Sequence, residues 1–94
     1  MGGMRSLEFL NLDLTSVTSV AGIGGVTSLE TVDLSENPSL TTGEEELANL
    51  PDLIGVNLLD STSIPAGAIT AIETAFTGVS GFTMTRTDGS IFSQ

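Results

Sequence analysis

The stretch Leu29-Glu30-Thr31-Val32-Asp33-Leu34-Ser35-Glu36-Asn37 spaces three apolar side chains as L-x-x-L-x-L and closes on an amide three residues later. Upstream, Leu7, Leu10 and Leu12 carry the same spacing, and downstream Leu53, Val56 and Leu58 carry it again. Val79, Phe82 and Met84 make a fourth, degenerate copy. Successive copies are offset by 22, 24 and 26 residues. One such triplet arises easily by chance in an apolar chain, and four in register do not. The position held by Asn37 is occupied by Thr15, Ser61 and Thr87 in the other copies. An amide there can bond backbone groups of neighbouring turns of chain, and a hydroxyl can do so more weakly.

The segments between the triplets differ. After the first, Val17, Val20, Ile23 and Val26 recur every three residues, which suits a short 3₁₀ or irregular return path. After the second, Thr42-Gly43-Glu44-Glu45 reads as a capping box ahead of Leu47 and Leu50, and Pro51 stops the helix it predicts. The run Glu44-Glu45-Glu46 would then sit where the helix dipole favours anions. After the third, Pro65 suits a first helical position. Ile69, Ile72, Ala75 and Phe76 supply one apolar face, and Gly78 a C-terminal stop. Helical returns take more residues, so the period lengthens.

On these motifs the chain is identified as a member of the leucine-rich repeat proteins, over roughly residues 6–86. Its first copy resembles the 22-residue repeat of internalin-type members. The resemblance implies an α/β fold, a curved right-handed solenoid of about four short repeats. A parallel β-sheet would line its concave face and mixed 3₁₀ and α return segments its convex side. The whole chain, 1–94, reads as one such domain, with repeats near 7–28, 29–52, 53–78 and 79–94, the last a degenerate C-terminal cap. Stacking has an independent physical reason: each turn of chain can bury its leucines only against the next, at about 1.5–3 kcal/mol per buried side chain.

Between the framework leucines, strand alternation turns side chains outward. The spacing predicts columns Phe9, Thr31, Gly55, Gly81; Asn11, Asp33, Asn57, Thr83; and Asp13, Ser35, Leu59, Thr85, with Leu14, Glu36, Asp60 and Arg86 at the strand ends. Leu14 could instead face inward. The candidate binding face is therefore acidic and amide-rich: Asn11, Asp13, Asp33, Glu36, Asn57 and Asp60, with Phe9 and Leu59 as apolar anchors. A solvated face of an acidic protein is the plainer reading of the same acids, an end cover the plainer reading of Phe9, and a lone exposed apolar residue that of Leu59. A protein or peptide partner, basic by charge complementarity, follows from the sharper reading.

Composition limits the alternatives. The 94 residues hold 12 acidic and 2 basic side chains, for a formal charge of −10, with no His and no Cys. Both cations are arginines, Arg5 and Arg86. A phosphate backbone would be repelled, which argues against nucleic acid and against anionic membranes. Apolar residues at 39% and a mean hydropathy of +0.32 fit a packed domain rather than a disordered chain. Leu14 to Leu29, though uncharged, is broken by Ser, Thr and Gly and does not read as a membrane span. Eleven serines and thirteen threonines are present, yet without His, Lys or Cys no familiar activated nucleophile can be assembled. A carboxylate pair such as Asp13 and Asp33 could lie about 5 Å apart, but a flat hydrated face would not raise one pKa for acid catalysis. The reading is therefore non-enzymatic, with no cofactor. Gly22-Ile23-Gly24-Gly25 reads as a turn, and no D-x-D-x-D loop supports a metal site.

The ends invite a second reading. Only Met4 and the short residues 1–5 precede the first triplet, so a solenoid would be thinly covered there. At the other end Asp88-Gly89 signals a hairpin that would lay Ile91 and Phe92 over the last turn of chain; a fifth half-turn is the alternative. A structural or assembly element, or a fragment of a larger repeat protein associating through its ends, is the competing function. The Ser/Thr-rich, Lys-free composition leans toward a secreted or cell-surface setting.

Overall fold

The computed structural model describes residues 8–12 and 17–94. The chain is a mixed α/β fold around one five-stranded sheet, with strands in sequence order β1 (Phe9–Asn11), β2 (Thr31–Asp33), β3 (Gly55–Asn57), β4 (Thr83–Thr85) and β5 (Ile91–Ser93). The first four run parallel and β5 returns antiparallel to β4. A 3₁₀ turn, Ile23–Gly25, follows β1; a six-residue 3₁₀ helix, Glu44–Asn49, follows β2; and α1, Ala66–Phe76, follows β3. The 3₁₀ helix packs between the 3₁₀ turn and α1, so the return segments lie in the order of the strands they leave. Among the described residues no helix is long and apolar enough to cross a membrane.

Each strand turns its central residue into the core. Val32, Val56 and Met84 are buried in a row, and Leu10 and Phe92 close it at either edge as half-buried neighbours. Leu29, Leu34, Leu53 and Leu58 add the flanking framework positions, all essentially inaccessible. From the return side Val20, Ile23, Val26, Leu40, Leu47, Leu50, Ile64, Ala68, Ile72 and Phe76 complete a single apolar cluster. At roughly 25 cal/mol per Å² of apolar area removed from water, burial of these side chains is the principal term opposing chain entropy.

The fourth triplet lies elsewhere than its spacing predicts. Gly55 pairs with Thr83, Val56 with Met84 and Asn57 with Thr85, so the step from β3 to β4 is 28 residues and not 26. Met84 therefore takes the central strand position, and Val79 is exposed. The extra residues belong to the exit from α1, where Gly78 and Gly81 both adopt positive φ, 85° and 88°. Phe82 still reaches the core, stacked on Phe76 with ring centroids 4.2 Å apart.

The returns also differ in detail from the sequence pattern. No side chain caps the 3₁₀ helix, whose N-cap is Gly43 at φ 95°. A Cβ on Gly43 would run into Val20 C and Ala21 N, so the backbones of the two return segments can meet only because this residue is glycine. Lacking the capping geometry, Glu44 points inward and is fully buried. Glu46 does bind helix-terminal amides, but those of the preceding 3₁₀ turn, accepting from the N–H groups of Gly22 at 3.1 Å and Gly24 at 3.0 Å. Pro65 is the N-cap of α1 rather than its first helical residue, and Ala75 is exposed while Ala68 joins Ile72 and Phe76 on the buried face. At the C-terminus the hairpin forms. Phe92 meets Phe82 edge-on at 6.1 Å, whereas Ile91 points to solvent, 55% exposed.

Asn37 joins neighbouring strand ends. Its Nδ2 donates to the carbonyls of Leu12 at 2.7 Å, Leu34 at 3.1 Å and Ser35 at 3.1 Å. Its backbone N–H donates to Ser61 Oγ at 3.0 Å, and that hydroxyl donates to the carbonyl of Leu34. Both residues are fully buried. Asn37→Ala should therefore cost about 2–4 kcal/mol in urea unfolding, because buried carbonyls lose their donors. Asn37→Asp, equal in shape but lacking the donor, should cost at least as much. Gly43→Ala should be similarly damaging, combining a disfavoured φ with a backbone clash.

Candidate functional site

The face of the sheet turned away from the core is built by the outer residues of each strand. One row is Phe9, Thr31, Gly55, Thr83 and Ser93; the next is Asn11, Asp33, Asn57, Thr85 and Ile91. Thr83 and Thr85 thus occupy the columns that the spacing assigned to Gly81 and Thr83. All ten are exposed or half-buried. Asp13 and Leu14 lie outside the described residues. Phe9 is 65% exposed and Leu59 36%. They do not converge, because the register places them two strands and four residue positions apart. Leu59 lies near Gly89 of the hairpin instead, and Ser35, expected to face outward, is buried.

The polar members of this face are partly engaged in local turns. Asp33 Oδ1 accepts from the backbone N–H of Ser35 at 2.9 Å and from its hydroxyl at 2.6 Å. Asn57 Oδ1 accepts from the N–H of Leu59 at 3.1 Å. These are Asx-type turns that end β2 and β3 the same way. Asp88 repeats the arrangement with Ser90, accepting at 2.9 and 2.6 Å. The Ser90 hydroxyl, then its N–H, hold the Asp88 carboxyl below the ordinary aspartate range.

An acidic row runs along the C-terminal ends of the parallel strands. Glu36 and Asp60 each stand three residues beyond their strand, and with β4 in its observed register Asp88 stands at the same position. The Glu36 N–H donates to the carbonyl of Leu59 at 2.7 Å, and the Asp60 N–H to that of Thr87 at 3.0 Å. Each acid is therefore stitched beside the residue preceding the next, at a strand spacing of about 4.8 Å. All three are exposed. Glu36 and Asp60 hold φ of 57° and 63°, the only non-glycine residues with positive φ among those described. Asp tolerates this conformation through its short side chain; Glu does so at a cost of about 1 kcal/mol.

Spacing had assigned Arg86 to this row. The two-residue shift removes it and brings Asp88 in, a signal invisible without the register. Arg86 turns aside instead. Its Nε donates to Glu73 Oε2 at 2.6 Å, an Nη donates to Ser90 Oγ at 3.2 Å, and the guanidinium lies 5.7 Å from the Phe92 ring centroid. Glu36, Asp60 and Asp88, with Asp33 near the end of β2, thus form an acidic row, and Arg86 stays close enough to Asp88 to help hold its carboxyl down. Among the described residues no pocket encloses this face, and no group of three His, Cys, Asp or Glu side chains could hold a metal ion.

Gly55 leaves the middle of the face flat, and a Cβ there would meet only Thr31 side-chain atoms at 3.6 and 3.7 Å, ordinary contact. Gly55→Ala should therefore be tolerated and should stabilise by about 0.4–1 kcal/mol through the unfolded chain, read from the denaturant midpoint. Ser90→Ala should raise the Asp88 pKa toward the ordinary aspartate value, as followed by carboxyl NMR titration. Comparison with protein-family models, with curated proteins and with solved structures finds no match to this chain.

Proposed function

We propose that the chain is a leucine-rich repeat module that binds a basic protein or peptide against the open sheet face and its acidic rim. The single observation that carries this reading is the row of exposed acids Glu36, Asp60 and Asp88, set at equivalent positions by the strand register. The repeat assignment is supported by the matched triplets, the parallel order of β1 to β4 and the parallel order of the returns. The right-handed solenoid and the concavity of the face are part of the proposal.

Two of the three acids stand in backbone conformations that glycine would occupy more easily. Retaining an acidic side chain at a strained position is consistent with a role outside folding. Phe9 and Asn11 at one edge, with Asp33, Asn57 and Leu59 nearer the rim, would supply the remaining contacts. With no pocket among the described residues and no His, Cys or Lys in the sequence, the proposed role is recognition rather than catalysis.

A second reading has its own observation. Leu10 and Leu12 are only half-buried, whereas Val32, Leu34 and Leu58 at the equivalent positions are fully buried. Among the described residues this end of the sheet is incompletely covered, and a second copy joining there is what the assembly reading requires. The formal charge of −10 opposes such stacking at low salt.

Titration with Lys/Arg-rich peptides should give binding that weakens as salt rises, and acidic peptides of equal length should not bind. Glu36→Gly and Asp60→Gly should each lower affinity about two- to fivefold, the worth of an exposed ion pair, while leaving stability unchanged or raising it by up to about 1 kcal/mol. Equal binding by acidic peptides, or affinity untouched in both variants, would overturn the assignment. Light scattering across a concentration series addresses the second reading: a constant monomer mass removes it, and a mass rising with concentration supports it.

A further inference from the structure

Glu44 is the only ionisable side chain in the described core. Its relative exposure is 0%, and neither carboxylate oxygen has a hydrogen-bond partner. It opens the 3₁₀ helix Glu44–Asn49, which is held from one side by the 3₁₀ turn Ile23–Gly25 and from the other by α1. Gly43 fixes where it enters, because the backbone there touches Val20 and Ala21 too closely for any Cβ.

Among the described residues no cation lies on the elements packed against it. The 3₁₀ turn carries no ionisable side chain, and α1 carries only Glu73, whose carboxylate receives Arg86. On its own helix Glu45 is exposed and adds like charge, and Glu46 is engaged with the Gly22 and Gly24 amides. An ionised carboxylate in such a place costs far more than a neutral one. In keeping with this, burial first and the Glu45 charge after it raise the Glu44 carboxyl above the ordinary glutamate value of 4.5, against an opposing pull from its own backbone N–H that falls short of a hydrogen bond.

We propose that Glu44 is an acid-tightened latch: the folded chain holds it as the neutral carboxylic acid, and its ionisation loosens the 3₁₀ helix from α1 and the neighbouring turn. Folding then takes up a proton. The contribution of this group to stability is complete at pH below about 4.5, where the unfolded chain is also protonated. It is lost as pH rises toward and through the folded-state value. Within that window the folding equilibrium falls by about tenfold per pH unit. The latch concerns the return segments and stands independently of any role for the sheet face.

The test compares urea unfolding of the intact chain with Glu44→Gln and Glu45→Gln from pH 4 to pH 8. Glutamine keeps the shape and removes the ionisation. The ratio of folding constants, Glu44→Gln over the unaltered chain, should grow with pH by up to about tenfold per unit above about pH 4.5 and then level. Glu45→Gln removes the like charge beside Glu44 but leaves its burial, the larger cause, so most of the pH dependence of the unaltered chain should remain. A Glu44→Gln profile parallel to the unaltered one, or no less pH-dependent than that of Glu45→Gln, overturns the proposal. Should Glu44→Gln fail to fold, carboxyl ¹³C NMR of the unaltered protein decides. A Glu44 resonance that stays at its neutral-acid position well above pH 4.5 supports the latch, and one that moves to its carboxylate position around pH 4.5 overturns it.

Discussion

The amide of Asn37 is the interaction on which the strand arrangement most depends. One buried side chain gives its hydrogens to carbonyls of Leu12, Leu34 and Ser35, so it spans the exit of β1 and the turn after β2. Ser61 takes up the next link, receiving the Asn37 N–H and donating to Leu34. Carbonyls leaving a strand edge toward the interior would otherwise lose water without replacement. With those groups satisfied, the strands can lie in register and the framework leucines can close over one another. The residues beyond each strand are then carried to equivalent places, which is how Glu36 and Asp60 come to stand in line.

Register decides the electrostatics as well as the packing. A shift of two residues at β4 preserves which face each strand residue occupies, because side chains alternate with a period of two. It changes which residue stands at the strand end. Asp88 replaces Arg86 in the row, and Arg86 is freed to reach Glu73 and lie against Phe92. The cation thus sits at the hairpin, joined to Asp88 through the Ser90 hydroxyl, while Glu36 and Asp60 stand further along the row. Coulombic attraction at such a rim would act mainly on the rate and selectivity of encounter.

The return segments show how close approach redirects side chains. Gly43 lets the second return touch the first, and that contact replaces the capping geometry that Thr42 and Glu45 suggest. Glu46 then finds amides across the gap, while Glu44 is left inside without a partner. Three consecutive glutamates with one local pattern so acquire three different environments: core, solvent and a neighbouring turn.

The sequence by itself placed the centres of the first three strands and the order of the parallel ones. Leu29, Leu34, Leu53 and Leu58, with Val32 and Val56, are buried as their spacing requires, since alternation within a strand is a local property of the backbone. Asn37 was legible too, from its fixed distance to the last framework leucine. Charge and the missing His, Cys and Lys restricted the chemistry from composition alone. Tertiary structure decided the rest. The length of the α1 exit set the β4 register and with it Asp88, because Gly78 and Gly81 can turn in ways no spacing rule anticipates. The separation of Phe9 from Leu59 and the burial of Glu44 likewise depend on which backbones meet, and residues distant along the chain settle that.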